Sequence, residues 1–295
     1  MSSVIARNAP TSSGSSAGHG RWIASAWLLW IGAASLIIPT IIQLAQQYWS
    51  QEEGGHGPIV LATGVWLLVR SRHAVRAVAH SGNLALSYAA LAASLMGYIF
   101  AHMTGMLGPQ SLCVYVALLA VFYHHAGWRA VRLLWFPLVY FLFMLPQPET
   151  LILPLTHALK LGLSSAAVSV LSAFGYAVGH GGVVLYVDQY ELLVASACSG
   201  VNSLIGLGSI GVFYAYLRYD GNWRAAAPLL LAIVPIALVA NFVRVLLLLL
   251  VTHHFGVRIA YTYVHDMAGV IMFTIAVTLL LGTDKLISWQ RDRHA

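Results

Sequence analysis

The 295-residue chain is 59% hydrophobic and only 8% charged, which excludes an ordinary soluble domain and offers repeated apolar stretches near the roughly 20 residues that a bilayer-crossing helix needs. The formal charge of +6 does not point to nucleic acid, because the Arg residues sit in short loops between apolar segments, where topology determinants lie. Two cysteines, Cys113 and Cys198, do not make a disulfide framework, and each needs its own explanation.

Residues 1–20, with the run Thr11-Ser12-Ser13-Gly14-Ser15-Ser16-Ala17-Gly18, carry too little apolar surface to fold alone and read as a disordered cytoplasmic tail. Residues 21–290 read as a single transmembrane domain, and 291–295 as a second cytoplasmic tail. The segment from Trp22 to about Tyr48 is too long for a signal-peptide core and is expected to remain as the first helix. Further spans are predicted at 56–70, 83–102, 110–127, 130–146, 198–217, 225–252 and 265–287, giving an all-α polytopic membrane protein with about eight transmembrane helices.

Between the fifth and sixth of these spans lies a stretch without Arg. Its first part, Leu151 to Val178, looks helical but carries Thr156, His157, Lys160, Ser164 and Ser165, as expected of an interfacial helix on the outer surface. Its second part predicts a small outer β-hairpin. Val183 to Val187 forms one arm, Asp188-Gln189 the turn and Tyr190 to Val194 the other arm.

Orientation follows from basic residues, which short cytoplasmic loops retain. With the N-terminus inside, the inner side receives Arg7, Arg21, Arg70, Arg72, Arg76, Arg129, Arg132, Arg218, Arg224, Lys285, Arg291 and Arg293, twelve of the fifteen Lys and Arg. Lys160, Arg244 and Arg258 fall toward the outer half. That arrangement brings Cys198, the outer part of the helix bearing Arg244, and His265 to one leaflet.

These three residues carry the chemistry. Cys198 sits in Ala195-Ser196-Ala197-Cys198-Ser199-Gly200 at the start of a predicted helix, where free N–H groups and the positive dipole end favour a thiolate. Arg244 stands inside an apolar helix at a cost of roughly 2.5–3.5 kcal/mol if central, with Asn241 three residues before it on nearly the same face. His265 opens the last span beside Asp266. A thiol, a fixed cation and an imidazole are the parts of a nucleophile with its base and an oxyanion or orienting partner. Packing explains a lone thiol, snorkelling an end-of-helix Arg, and capping a helix-opening His, so the convergence of all three is what favours a site.

Other patterns are weaker. Gly206-Leu207-Gly208-Ser209-Ile210-Gly211 matches GxGxxG but lies in an apolar span with no βαβ context, so it reads as a close-packing face. His253-His254 with His265 lacks HExxH and any zinc-centre spacing, so neither metal nor cofactor is expected. The loop Glu52-Glu53-Gly54-Gly55-His56-Gly57 serves equally as a substrate entrance or as a solvated surface.

The chain resembles the exosortase/archaeosortase family of multi-pass membrane cysteine transpeptidases, most closely its bacterial exosortases. The resemblance runs through His56-Gly57, Phe143 to Pro148, Gly182 to Leu185, Ala197-Cys198-Ser199-Gly200, Pro235-Ile236, Asn241-Phe242-Val243-Arg244 and His265-Asp266-Met267-Ala268-Gly269. It implies Cys198 as nucleophile, Arg244 as the essential cation and His265 as the third member, with Ser199, Asn202, Asn241 and Asp266 supporting them or the substrate. Two positions depart: Ser196 stands where the family commonly has Glu, and Asn202 where it often has Arg. As partners the resemblance implies secreted proteins that end in a recognition motif, a transmembrane helix and a basic tail, together with an acceptor, in the inner membrane of a bacterium with membrane lipids around the chain. Two other readings compete: a non-catalytic exopolysaccharide-export accessory or transporter, and a His-dependent membrane metallopeptidase.

Overall fold

The computed structural model describes residues 31–51, 54–182, 184–187, 190–193, 200–256, 258–259 and 263–294. Residues 31–44 form a helix, α1, which runs into a π-helical turn, Ala45–Trp49. The helices α2 (Gly57–Val78), α3 (Leu84–Met103), α4 (Leu107–Leu133) and α5 (Trp135–Tyr140) follow, and α5 ends in a 3-10 turn, Phe141–Met144. Next come α6 (Glu149–Ala173), the strands β1 (Val178–Gly181), β2 (Val184–Val187) and β3 (Tyr190–Leu193), and finally α7 (Gly200–Arg218), α8 (Trp223–Phe255) and α9 (Tyr263–His294).

The prediction of eight transmembrane helices is corrected. Among the described residues about four helices are long and apolar enough to cross a membrane: Leu84–Met103, Leu107–Leu133, Trp223–Phe255 and Gly269–Arg291. Two of the predicted spans are cut short for local reasons. Arg70, Arg72 and Arg76 charge the C-terminal half of α2. The predicted 130–146 span breaks at Leu134, leaving only the short apolar helix Trp135–Met144. The predicted spans 22–48 and 198–217 lie partly outside the described residues.

The predicted two-stranded hairpin is also corrected, to a three-stranded antiparallel sheet in the order β1-β2-β3. Val178 pairs with Val187 and Gly181 with Val184; Val184 then pairs with Leu193 and Val187 with Tyr190. The predicted turn residues Asp188 and Gln189 lie outside the described residues. Leu185 and Val187 are buried while Tyr186 is exposed, the alternation of a strand with one covered face. The covered face packs on Ala167 and Leu171 of α6 and on Val245, Leu248 and Leu249 of α8.

Helix ends follow local chemistry. The Asn83 side chain accepts a hydrogen bond from Leu86 N–H at the start of α3, and Asn222 does the same for Ala225 at the start of α8. Gly256, at φ 83°, ends α8. Inside α4, Gly127 adopts φ 72° and ψ 179°, which interrupts the helix. The loop from α2 takes up the carbonyls next to the break: His80 N–H donates to Ala126 O and Gly82 N–H to His124 O.

These contacts draw the basic residues to one end. The α2–α3 loop meets the C-terminal part of α4, which bears Arg129 and Arg132; Trp135 packs on Trp223 at a centroid distance of 5.1 Å; and Arg291 donates to Ala225 O at 2.5 Å. There Asp284 of α9, 4% exposed, accepts from Tyr219 (2.5 Å), Tyr214 (2.8 Å) and Arg218 (3.3 Å), clasping α9 to the end of α7. Asp284→Leu removes the acceptor shared by two half-buried hydroxyls, while the exposed Arg218 guanidinium can turn to water. It is expected to destabilise the α7–α9 bundle by about 2–4 kcal/mol, read as a lower melting temperature in detergent.

Candidate functional site at the end opposite the basic cluster

The relative levels of α7, α8 and α9 can be fixed at one close contact. A Cβ on Gly211 would lie 2.6 Å from Ile233 Cδ1 and 3.7 Å from Leu280 Cδ2, so three helices meet there. The Tyr214–Asp284 bond shows α7 and α9 running in parallel, and the Arg291–Ala225 bond shows α9 antiparallel to α8. Eleven residues from that contact, away from the basic end, stand Gly200 on α7, Arg244 on α8 and Gly269 on α9. His265 is one further turn along α9, about 6 Å beyond the level of Arg244.

The backbones of Gly200, Arg244 and His265 therefore lie at the same end of the bundle. Cys198 and Ser199, immediately before Gly200, lie outside the described residues. Asn202 stands in the first turn of α7, and His265 and Asp266 in the first turn of α9.

Arg244 is 4% exposed and Asn241 1%. They continue the buried stripe formed by Ala237, Ala240, Val245 and Leu248, so α8 turns its polar residues inward rather than toward lipid. Neither end of the Asn241 carboxamide has a hydrogen-bond partner among the described residues. Such a group costs about 1–3 kcal/mol when left unsatisfied.

The structure separates the remaining candidates. Cys113 is on α4, with its sulfur 2.8 Å from the position of a Gly97 Cβ, a packing contact between α3 and α4. His253 and His254 pack against Tyr176, at ring-centroid distances of 5.0 and 6.3 Å. Among the described residues no three His, Cys, Asp or Glu side chains come together as metal ligands would.

His56 has a more definite place than a solvated loop residue. It is 9% exposed, and its Nε2–H donates to Phe143 O at 2.8 Å while the Trp49 indole donates to Met144 O at 3.0 Å. Its ring also lies about 4 Å from where a Cβ of Gly206 on α7 would stand, so this loop braces the helix that follows Cys198. Burial pushes the His56 pKa below its ordinary value of 6.5, against an opposing effect of the Phe143 carbonyl. The folded state thus holds the neutral ring more firmly than the unfolded chain does. Its stabilisation is full above about pH 6.5 and is lost as pH falls toward the lower folded value. His56→Gln is expected to flatten this dependence, read as melting temperature between about pH 5 and 8.

The sequence profile of the transmembrane exosortase (EpsH) family matches residues 48–282, a span that takes in Cys198, Arg244 and His265. The chain belongs to this family. No curated protein and no solved structure matches it. The match covers most of this exosortase-family chain, from the π turn before α2 into α9, and places it in a family of multi-pass membrane proteins linked to membrane-associated sorting.

Proposed function

We propose that this exosortase-family protein is a membrane-embedded cysteine transpeptidase that cleaves C-terminal sorting signals of secreted proteins. The observation that carries the reading is the burial of Arg244 inside α8 at the level where α7 begins, two residues after Cys198. Arg is rarely buried in an apolar helix without a partner or a task.

The Cys198 thiolate attacks the scissile carbonyl carbon and forms the C–S bond. Arg244 stabilises the oxyanion. On collapse the C–N bond breaks, and His265 protonates the departing amine. An acceptor amine, or water, then attacks the thioester and releases the thiol. Asn202, Ser199 and Asp266 flank these groups and serve in binding or orientation.

The substrates are secreted proteins with a recognition motif, a transmembrane helix and a basic tail. With the basic end of the bundle cytoplasmic, by the retention of Lys and Arg inside, the site faces the outer side of a bacterial inner membrane. The test is the covalent intermediate. Membranes holding the enzyme and a precursor with such a tail should yield a conjugate at Cys198 that hydroxylamine cleaves. Processing without any such conjugate, together with sensitivity to a chelator, would reject the thiol mechanism.

A further inference from the structure

Buried helical hydroxyls in this protein return to their own backbone. Thr40, Ser94, Ser111, Ser209 and Thr252 each donate to a carbonyl three or four residues earlier. Two buried polar side chains depart from this habit. Ser164 of α6 is 0% exposed and Asn241 of α8 is 1% exposed, and neither the Ser164 hydroxyl nor either end of the Asn241 carboxamide has a partner among the described residues.

Both border one apolar cluster. Ala167, Leu171, Val245 and Leu248 pack together, and Ser164 and Asn241 each lie one turn before this contact on their own helices. Counted from the Gly211–Ile233 contact, Asn241 is level with Ser203, within one turn of Gly200. An apolar side chain of the same shape would fit that position at lower cost.

We propose that Asn241, with Ser164 on the facing helix, is a peptide-group subsite that holds one backbone amide of the substrate at the level where α7 begins, two residues after Cys198 in the sequence. The proposal rests on the transpeptidase reading and adds a positioning role to it. A carboxamide presents one acceptor and two donors in a plane, the complement of a peptide N–H and C=O. A polypeptide drawn out for attack at a membrane surface has given up its helical hydrogen bonds and needs such partners. Asn241 and Arg244 are three residues apart on one face, about 4.5 Å along the axis. That step is close to one residue of extended chain, about 3.3 Å, so a peptide group on Asn241 leaves the adjacent carbonyl near Arg244. Ser164 contributes one further donor or acceptor.

The experiment uses the full chain carrying Cys113→Ala, so that Cys198 is the sole thiol, in detergent micelles. The probe is the chloromethyl ketone of acetyl-triglycine, whose methylene carbon the Cys198 thiolate attacks, forming the C–S bond as chloride leaves. Labelling rate against probe concentration separates a saturation constant from a limiting rate. Methyl methanethiosulfonate, which has no peptide group, reports the intrinsic reactivity of the thiol.

Asn241→Leu is expected to raise the saturation constant roughly 10- to 100-fold, to leave the thiosulfonate rate unchanged, and to hold or raise the melting temperature. Ser164→Ala should raise the constant by a smaller factor, about 3- to 10-fold. A lower melting temperature for Asn241→Leu with an unchanged saturation constant would mean that the carboxamide is structural, and would overturn the subsite alone. Saturable labelling that neither substitution alters overturns it too. If Cys198 reacts with the peptide probe no faster than a denatured thiol does, the transpeptidase reading fails, and the subsite with it.

Discussion

Cys198→Ala is expected to leave a full-length sorting precursor in the membrane, with turnover reduced about 10⁴-fold or more, the scale seen when a covalent nucleophile is removed. Cys113→Ala should process it normally. The contrast follows from position. Cys113 is a small apolar filler facing Gly97 between α3 and α4, whereas Cys198 directly precedes the helix whose first residue, Gly200, is level with Arg244. Under the proposed mechanism, N–H groups at a helix start favour a thiolate. Measured as precursor and product on a gel from membranes with matched protein levels, normal processing by Cys198→Ala would reject the nucleophile.

Only some features of this protein were legible before folding. Apolar runs mark helices well, and the long run in α8 is read correctly although Pro228 and Pro235 stand inside it. Counting spans failed where composition looked apolar but the ends were charged or broken, as at Arg70 to Arg76 in α2 and at Leu134 before α5. Val178-Gly179-His180-Gly181 gives little strand signal, with one β-branched residue and two glycines; it is a strand because β2 offers it partners.

The candidate site divides in the same way. Arg244 announces itself because an apolar helix tolerates a guanidinium badly, and Asn241 follows from its three-residue spacing. Their joint burial, and the level they share with the start of α7, depend on how three helices pack around Gly211. In its polar run Ser164 suggests an interfacial helix, yet it is wholly buried. Its burial comes from tertiary contact with the α8 and β2 cluster, which a local pattern cannot report. The sequence leaves His56 open between two uses because its partner, the Phe143 carbonyl, is 87 residues away.

Arg244→Lys is expected to preserve insertion and folding yet to lower turnover about 10²- to 10³-fold, the effect of losing one preorganised oxyanion donor. Lys keeps the charge and much of the apolar stem, so an anchor or a purely electrostatic role would survive the change. What it loses is the planar set of five N–H donors, which can meet an oxyanion while also keeping a second contact. The loss should fall mainly on kcat, because the charge on the carbonyl oxygen develops only in the transition state. A variant that elutes as wild type does in detergent and melts at the same temperature, but forms the Cys198 thioester slowly, would show the guanidinium acting on the reacting carbonyl. Wild-type processing by a well-expressed Arg244→Lys protein would instead make Arg244 a buried structural cation, and the oxyanion would then need the N–H groups at the start of α7.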